Sequence, residues 1–370
     1  NIKKNKLTSG MRGYSLFNLR EKYLEVLSRR NQLFLTLSIG LIGSLLFSAL
    51  SLPLPWLLGA LFTSTISTLS GLKLWVPTWL RANSLLVLGA LFGTSVSPDF
   101  IDNASQWIGS ILGVILYVVL VIPPLIYYYI KLAHLDFKTA YFSSAPGGLI
   151  PMAILGEEMG ADVRTITLIQ SSRIILTVAI IPFAFVIFGG YEPTGKIGTG
   201  GSFATLNFVD GICLLFVAIA GYIIARPLKI PSPSLMGPLA AVTLLSIMGE
   251  LNNAEVPDLL VAIAQCIIGA SIGAMFNGVQ PRVVAKTLFH GSVTSIIIIV
   301  FGCFCAYLTH SISGLPLDAL ILGFAPGGFP EMVLVGFALG VDIAFLVAHQ
   351  LSRYLFVTIF IPISIKAMKK

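Results

Sequence analysis

One segment of this 370-residue chain occurs twice, and each copy interrupts an apolar stretch with residues that helices do not tolerate. Residues 145–182 align without a gap on residues 325–362, and 13 of the 38 aligned positions are identical. Each copy begins with Ala-Pro-Gly-Gly, and Pro and Gly are the least favourable residues in a helix interior. The chain is therefore an internal duplication, and each half contains one broken helix.

The amino-acid composition indicates whether these helices lie in water or in a lipid bilayer. Hydrophobic residues make up 56% of the chain and charged residues 11%, and the mean hydropathy is +0.92. A soluble domain carries about 25% charged residues, so this chain has too little polar surface for a water-soluble globule. We predict a multi-pass protein of the lipid bilayer, and we interpret the net charge of +7 as cytoplasmic loop charge rather than as a nucleic-acid surface.

Ten apolar runs are long enough to cross about 30 Å of hydrocarbon. They lie near residues 32–50, 53–71, 83–98, 106–132, 162–189, 206–226, 233–249, 257–276, 284–309 and 342–365. Two further apolar segments, 138–159 and 317–339, each carry one Ala-Pro-Gly-Gly near the middle. We expect these two segments to enter the membrane and return to the same side.

Loop charge supports that re-entrant arrangement, because Lys and Arg concentrate in cytoplasmic loops. Of the 23 basic residues, it leaves only Lys196 outside, with Arg173 and Arg353 within the membrane. If both segments crossed instead, Lys196 would lie inside and five other basic residues would lie outside: Arg164, Arg226, Lys229, Arg282 and Lys286. The predicted fold class is an all-α polytopic membrane protein of two inverted repeats, each with five transmembrane helices and one re-entrant broken-helix hairpin, a pattern typical of secondary transporters.

The predicted organisation has four parts. Residues 1–31 form a basic amphipathic segment on the cytoplasmic surface, and residues 32–190 form the first membrane repeat. Residues 191–205 are a Gly-rich external linker, and residues 206–370 form the second repeat. The positive-inside pattern places both termini in the cytoplasm, and we expect the protein in a bacterial inner membrane.

The two breaks are the first candidate site. Irregular backbone at membrane depth is tolerated where it is buried in protein or lines a water-filled cavity. At each break a second half-helix starts, and its N–H groups and positive dipole end favour an anion. The predicted substrate-binding residues at these tips are Pro146, Gly147, Gly148, Pro326, Gly327 and Gly328.

Two arginines lie at predicted midplane depth. Arg173 and Arg353 each follow a predicted helix N-cap, Asp162 or Asp342, by 11 residues, which is about 16 Å along a helix. They would either clamp a carboxylate directly or cap the carbonyls at the end of a hairpin's first half-helix. Gln170 and Gln350 stand three residues before them on the same helix face and are further candidate ligands.

The repeats differ at two ionisable positions. Glu331 stands where the first repeat has Pro151, and His349 stands where it has Ile169. An ionisable side chain within a membrane is a candidate for ion or proton coupling, here to Na⁺ or H⁺. Glu331 could equally serve as the counter-ion of an arginine or stabilise its helix N-terminus.

No catalytic or metal-binding constellation is present in the sequence. The four His residues are far apart, none has a His or Cys partner at ligand spacing, and no nucleotide-binding loop occurs. We therefore expect no enzyme activity, no catalytic residues, no metal and no cofactor.

The duplicated pattern, read as APGG…G…GxD…QxSR…P, resembles the bacterial AbrB membrane family, as do the two P-x-P…G helix starts. The resemblance covers nearly the whole chain from about residue 32. Members are labelled as ammonia monooxygenases or as regulators of aidB expression. The family is similar to the ion-transporter superfamily of citrate, dicarboxylate and arsenite carriers, which implies that residues 146–148 and 326–328 match its substrate- or Na⁺-binding hairpin tips and that a homodimer is usual.

The function predicted from these observations is secondary active transport of a small organic anion, of the carboxylate type, by alternating access and coupled to an ion. The first alternative is a membrane-bound enzyme of the monooxygenase type. The second is a membrane regulator or sensor that transports nothing.

Overall fold

The structure, a computed structural model, describes residues 28–96, 104–191, 208–228, 230–249, 251, 254–277 and 281–367. Over those residues it is all-helical, with fourteen α-helices and no strand. The helices of the first half are α1 (Ser28–Ala49), α2 (Pro55–Leu69), α3 (Thr78–Thr94), α4 (Ile108–Lys131), α5 (Phe137–Ser144), α6 (Leu149–Glu158) and α7 (Val163–Gly189). Those of the second half are α8 (Phe208–Ala225), α9 (Pro233–Ile247), α10 (Asp258–Gly273), α11 (Pro281–Ser313), α12 (Leu317–Phe324), α13 (Phe329–Ala338) and α14 (Ile343–Ala367).

The prediction of an all-α membrane protein is confirmed. Each of the ten predicted apolar runs contains one helix, and each Ala-Pro-Gly-Gly segment contains two short ones, α5–α6 and α12–α13. Within the described part of the chain, six helical stretches, at α1, α4, α7, α10, α11 and α14, are long and apolar enough to cross a membrane. At 1.5 Å per residue, the 8-residue α5 and α12 are about 12 Å long, too short to cross alone.

The duplication extends to backbone conformation. Both α2 and α9 begin with a proline, Pro55 or Pro233, preceded by a residue in the left-handed region, Leu54 at φ 45° or Ser232 at φ 48°. A proline at the first helical position is favourable because its φ is preset and its missing N–H would have had no helical partner. The same unusual helix start therefore occurs once in each half.

The helices α7 and α14 also start alike. Asp162 accepts hydrogen bonds from the backbone N–H groups of Arg164 and Thr165 at 3.0 and 3.2 Å. Asp342 accepts from the Ala344 N–H at 2.8 Å and from the Phe345 N–H at 3.4 Å. The predicted role of both aspartates as N-caps is confirmed.

The contacts divide the helices into two groups. In the glycine-packed group, α2 packs on α10, α3 on α9 and α9 on α8, and α1 joins by packing on α2. In the broken-helix group, α7 packs on α11, α4 on α14, and the short helices α5, α6, α12 and α13 pack on α7 and α14. Contacts between the groups are sparse, and they include α3 with α13 and α2 and α10 with α7.

Close backbone approach characterises the glycine-packed group. A Cβ at Gly59 would lie 2.3 Å from the Gly43 carbonyl oxygen, and a Cβ at Gly237 would lie 2.4 Å from the Gly221 carbonyl oxygen. These pairs join α1 to α2 and α8 to α9. Small residues at such crossings allow backbones to touch, which is how membrane helices gain packing energy without a hydrophobic driving force.

Parts of the predicted organisation lie outside the described residues. The predicted amphipathic segment, residues 1–31, is described only from residue 28, and the predicted linker, residues 191–205, only at Tyr191. Both stay predictions.

Candidate functional site

A cavity of about 400 Å³ lies where the two helix breaks meet. Its lining comes from both halves of the chain and from both helix groups. It includes the tips of the two breaks, the facing sides of α7 and α14, the first turns of α3 and the start of α9. A volume of this size accommodates a small organic molecule.

The first break is held by two side chains of α7. The C-terminal carbonyls of α5 have no continuing helix to bond, because Pro146 lacks an N–H. Gln170 donates from Nε2 to the carbonyl oxygens of Phe142 and Ala145 at 2.9 and 3.0 Å. Arg173 donates from one terminal nitrogen to the Ala145 carbonyl oxygen at 3.1 Å. These two side chains therefore cap the end of α5.

The second break is held in the same way by α14, with additional bonds. Gln350 donates from Nε2 to the carbonyl oxygens of Leu322 and Ala325 at 2.7 and 3.4 Å. Arg353 donates to the Ala325 carbonyl oxygen, to the Gly327 carbonyl oxygen at 3.1 Å and to the Gln350 Oε1 at 2.6 Å. The second arginine is thus bonded more completely than the first.

Of the two roles that the sequence left as alternatives, the hydrogen bonds show capping, and contact with a carboxylate stays a prediction. Both cap a half-helix, and both line the cavity. Each side chain is only 3% exposed, and no Asp or Glu among the described residues lies within salt-bridge distance of either guanidinium. Buried cations without a carboxylate partner are costly in a membrane, and they make the cavity attractive to an anion.

The half-helices α6 and α13 begin at the cavity without a side-chain cap. Their N-cap residues are Gly148, at φ 96°, and Gly328. Within the described residues, the N–H groups of Leu149 and Ile150 in α6 have no hydrogen-bond partner. The positive end of each helix dipole and such free donors favour a negatively charged group.

Glu331 provides the negative charge in the cavity lining. It stands in the first turn of α13, is 2% exposed, and its Oε1 lies 3.5 Å from a terminal nitrogen of Arg81. Arg81 belongs to the first turn of α3, so this ion pair links the glycine-packed group to the broken-helix group. Among the residues that the structure describes, three arginines and one glutamate line the cavity, which gives this lining a net positive charge.

The structure brings most of the predicted site residues together. Of the twelve, nine line the cavity: Pro146, Gly147, Gly148, Gly327, Gly328, Arg173, Arg353, Gln350 and Glu331. Pro326 and Gln170 lie beside it without lining it. All twelve role assignments stay predictions.

His349, a predicted coupling residue, does not line the cavity. It is fully buried, and its ring stacks on Phe345 with centroids 3.8 Å apart. Its Nδ1 bonds the Phe345 carbonyl oxygen at 2.8 Å, and its Nε2 lies 2.7 Å from the Ser110 hydroxyl oxygen on α4. These contacts join α14 to α4.

Sequence reasoning missed Arg81 and the start of α9. Arg81 was counted among the loop charges, yet it lines the cavity, as do Ser232 and Ser234. A signal was available for Arg81: its counterpart in the second repeat is Val261, so the repeats differ in charge there as they do at Glu331. Ser232 gave no such signal, since a serine beside a proline is common in loops.

Metal-ligating side chains do not cluster in the described part of the chain. No three His, Cys, Asp or Glu side chains come close enough together there to hold a metal ion. The cavity instead offers guanidinium groups, free backbone N–H groups and apolar walls.

Comparison with known proteins gives consistent matches along the chain. The family model described as "Transition state regulatory protein AbrB" matches residues 56–369. The "Uncharacterized protein YhjN" of Bacillus subtilis (strain 168) is 24% identical over 356 residues, covering 88% of this chain and 90% of the relative. The "Putative regulator AbrB" of Escherichia coli (strain K12) is 23% identical over 328 residues, covering 87% and 90%. With the predicted resemblance confirmed over most of its length, this multi-pass helical membrane protein belongs to the AbrB family.

Proposed function

We propose that this protein is a secondary active transporter of a small organic anion, rather than an enzyme. The observation that carries the proposal is the cavity in which Arg173, Arg353 and the uncapped N-termini of α6 and α13 converge. Helix N-termini pointing at an anionic substrate from broken helices are a recurring arrangement in transporters. A carboxylate is the anion best suited to the planar guanidinium fork.

Alternating access requires two conformations related by movement around the site. The sparse contacts between the glycine-packed and broken-helix groups are compatible with such a movement, whereas the packing within each group favours rigid bodies. The substrate would then be exposed first to one side and then to the other. The coupling ion, Na⁺ or H⁺, belongs to this proposal, with Glu331 as the acidic group in the cavity lining.

Inverted topology is part of the same proposal. The equivalent helices of the two halves are α2 and α9, α3 and α10, α4 and α11, and α7 and α14. The packing of α2 on α10 corresponds to that of α9 on α3, and the packing of α4 on α14 corresponds to that of α11 on α7. Loop charge favours inversion, as described above. Single cysteines at Leu228 and Glu255, both exposed and at opposite ends of α9, should label from the cytoplasmic and external sides respectively. Labelling from the reverse sides would contradict the topology.

The decisive experiment combines binding and flux with the purified full-length protein. Thermal-shift measurements with small carboxylates, sulfonates and phosphonates, with and without Na⁺ and across pH 5–8, identify ligands through their stabilisation of the folded state. Proteoliposome uptake then tests movement of the same compounds. Arg173→Gln and Arg353→Gln should abolish the shift, while Arg226→Gln, which removes an exposed charge outside the cavity lining, should not.

Three results would contradict the proposal. Binding without flux would favour a sensor or regulator. A stoichiometric transition metal in the purified protein would favour the enzyme alternative. Absence of any anion-dependent shift would remove the basis for an anion site.

A further inference from the structure

The two helix breaks carry the same duplicated sequence motif, yet the arginines that cap them do not make the same number of hydrogen bonds. At the second break Arg353 donates from both terminal nitrogens, to the carbonyl oxygens of Ala325 and Gly327 and to Gln350. At the first break Arg173 donates from one terminal nitrogen only, to Ala145. Among the described residues, its other terminal nitrogen has no hydrogen-bond partner. The Nε atoms of both arginines are buried without a partner there, so the second terminal nitrogen is what distinguishes Arg173 from Arg353.

An internal carboxylate fills the second break. Glu331 is at the third position of α13, and a Cβ placed on Gly328 would lie 2.0 Å from its Oε2, so the carboxylate rests directly on the tip. The first break has Pro151 at the equivalent position of α6 and no acidic residue in that first turn. An acid at a helix N-terminus satisfies the dipole there, which leaves only the first tip open to an external anion.

The cation that faces Glu331 also has no basic counterpart in the other repeat. Arg81 lies 3.5 Å from the Glu331 carboxylate, and its repeat equivalent on α10 is Val261, which is fully buried. The acid and its cation therefore occur as a pair at the second tip and are both missing at the first. The remaining cavity wall is largely apolar, with contributions from Leu85, Ile150, Ile174, Met275, Phe329 and Tyr354.

We infer, building on the proposed anion transport, that the cargo is an organic monoanion with an apolar body. Its carboxylate binds at the first tip, between the N–H groups of Leu149 and Ile150 and the guanidinium of Arg173. Glu331 occupies the second tip and is the specificity-determining residue, because it repels a second anionic group. A dicarboxylate long enough to reach both tips would meet this buried carboxylate instead of free donors.

The test compares matched mono- and dicarboxylates on the full-length protein at pH 7.5: butyrate with succinate, hexanoate with adipate, and benzoate with terephthalate. Because like charges facing each other across a binding site strongly disfavour association, wild type should bind the monocarboxylates ~10-fold or more tightly. Glu331→Gln, which keeps the side-chain shape, should remove that preference. Dissociation constants from calorimetry or thermal-shift titration are the readout.

A reciprocal pair of variants tests the first tip. Pro151→Glu recreates the acid of the second repeat at the first tip, in a first-turn position where acids stabilise helices. It should weaken monocarboxylate binding ~10-fold or more relative to Pro151→Gln, which differs from it by one charge. Size-exclusion profiles and unliganded melting temperatures establish that all three variants are folded.

The failures are distinguishable. If wild type binds and transports carboxylates but prefers the dicarboxylates, or if Glu331→Gln leaves the preference unchanged, this inference is wrong and the proposed function stands. The same holds if Pro151→Glu binds monocarboxylates as well as Pro151→Gln does. If wild type binds a sulfonate or phosphonate but none of the six carboxylates, the inference alone is wrong. If it binds no anion of either series, the proposed function fails together with the inference.

Discussion

The caps of the two breaks should differ in their contribution to stability, although they use the same residue types. Gln170→Leu and Gln350→Leu each remove two hydrogen bonds from Nε2 to backbone carbonyls. In a membrane protein such bonds are worth about 0.6 kcal/mol each, so about 1.2 kcal/mol is lost in both variants. That common loss cancels in the comparison.

The difference comes from the amide oxygens. The Gln350 Oε1 accepts from Arg353 at 2.6 Å, and a hydrogen bond to a charged group contributes about 1.5–3 kcal/mol. The Gln170 Oε1 is buried and has no hydrogen-bond partner among the described residues, and removing an unsatisfied polar atom recovers about 1–3 kcal/mol. Gln350→Leu should therefore lower the free energy of unfolding by about 3 kcal/mol or more, whereas Gln170→Leu should leave it unchanged or raise it by up to about 2 kcal/mol.

Unfolding of the purified variants by SDS titration, followed by circular dichroism, measures both free energies under one condition. Gln350→Glu serves as a control, because its carboxylate keeps an acceptor for Arg353 while removing the Nε2 donor. It should lie between wild type and Gln350→Leu. Equal destabilisation by the two leucine variants, or a larger effect at Gln170, would refute the inequality of the two caps.

Two further predictions concern the tips. Gly148→Ala should destabilise the protein by about 1–3 kcal/mol because Gly148 has φ 96°, whereas Gly328 has φ −69°, so Gly328→Ala should act mainly by displacing the Glu331 carboxylate. Melting temperatures of both variants, and of Gly328→Ala combined with Glu331→Gln, separate backbone strain from displacement of the carboxylate. Arg81→Gln should destabilise the protein because it leaves the buried Glu331 charge without its cation, and adding Glu331→Gln should restore most of the lost stability. A double-mutant cycle measures the coupling energy between the two residues. Additive effects would show that the 3.5 Å ion pair contributes nothing to stability.

Much of the architecture was predictable because lipid leaves few alternatives. Helix length, loop charge and the position of Pro and Gly are enough to locate helices when every backbone group must be bonded internally. The helix breaks at residues 145–148 and 325–328 follow from local chemistry, since Pro146 removes an N–H and Gly148 adopts φ 96°. The roles of Asp162 and Asp342 were predictable for the same local reason.

The fine structure of the site was less accessible from sequence. The sequence indicated two arginines near the breaks, but it did not decide between ligand contact and capping, because that choice depends on where α5 ends relative to α7. Arg81 was missed because it sits in a first turn, where basic residues are usually solvated. The unequal bonding of Arg173 and Arg353 depends on rotamers, which the shared Gln-x-Ser-Arg motif does not specify.

The capping arginines restrict how this cavity can evolve. Each guanidinium closes the end of a half-helix and lines the cavity with the same group of atoms. A substitution that removed the charge at either position would also remove the hydrogen bonds that cap α5 or α12, so the chemistry of the cavity has little freedom to change there. Diversification must instead proceed at neighbouring positions with no capping duty, such as Pro151, Glu331 and Arg81. Those three side chains line the cavity and make none of the hydrogen bonds that cap α5 and α12, so substituting them would change the cavity without removing those caps.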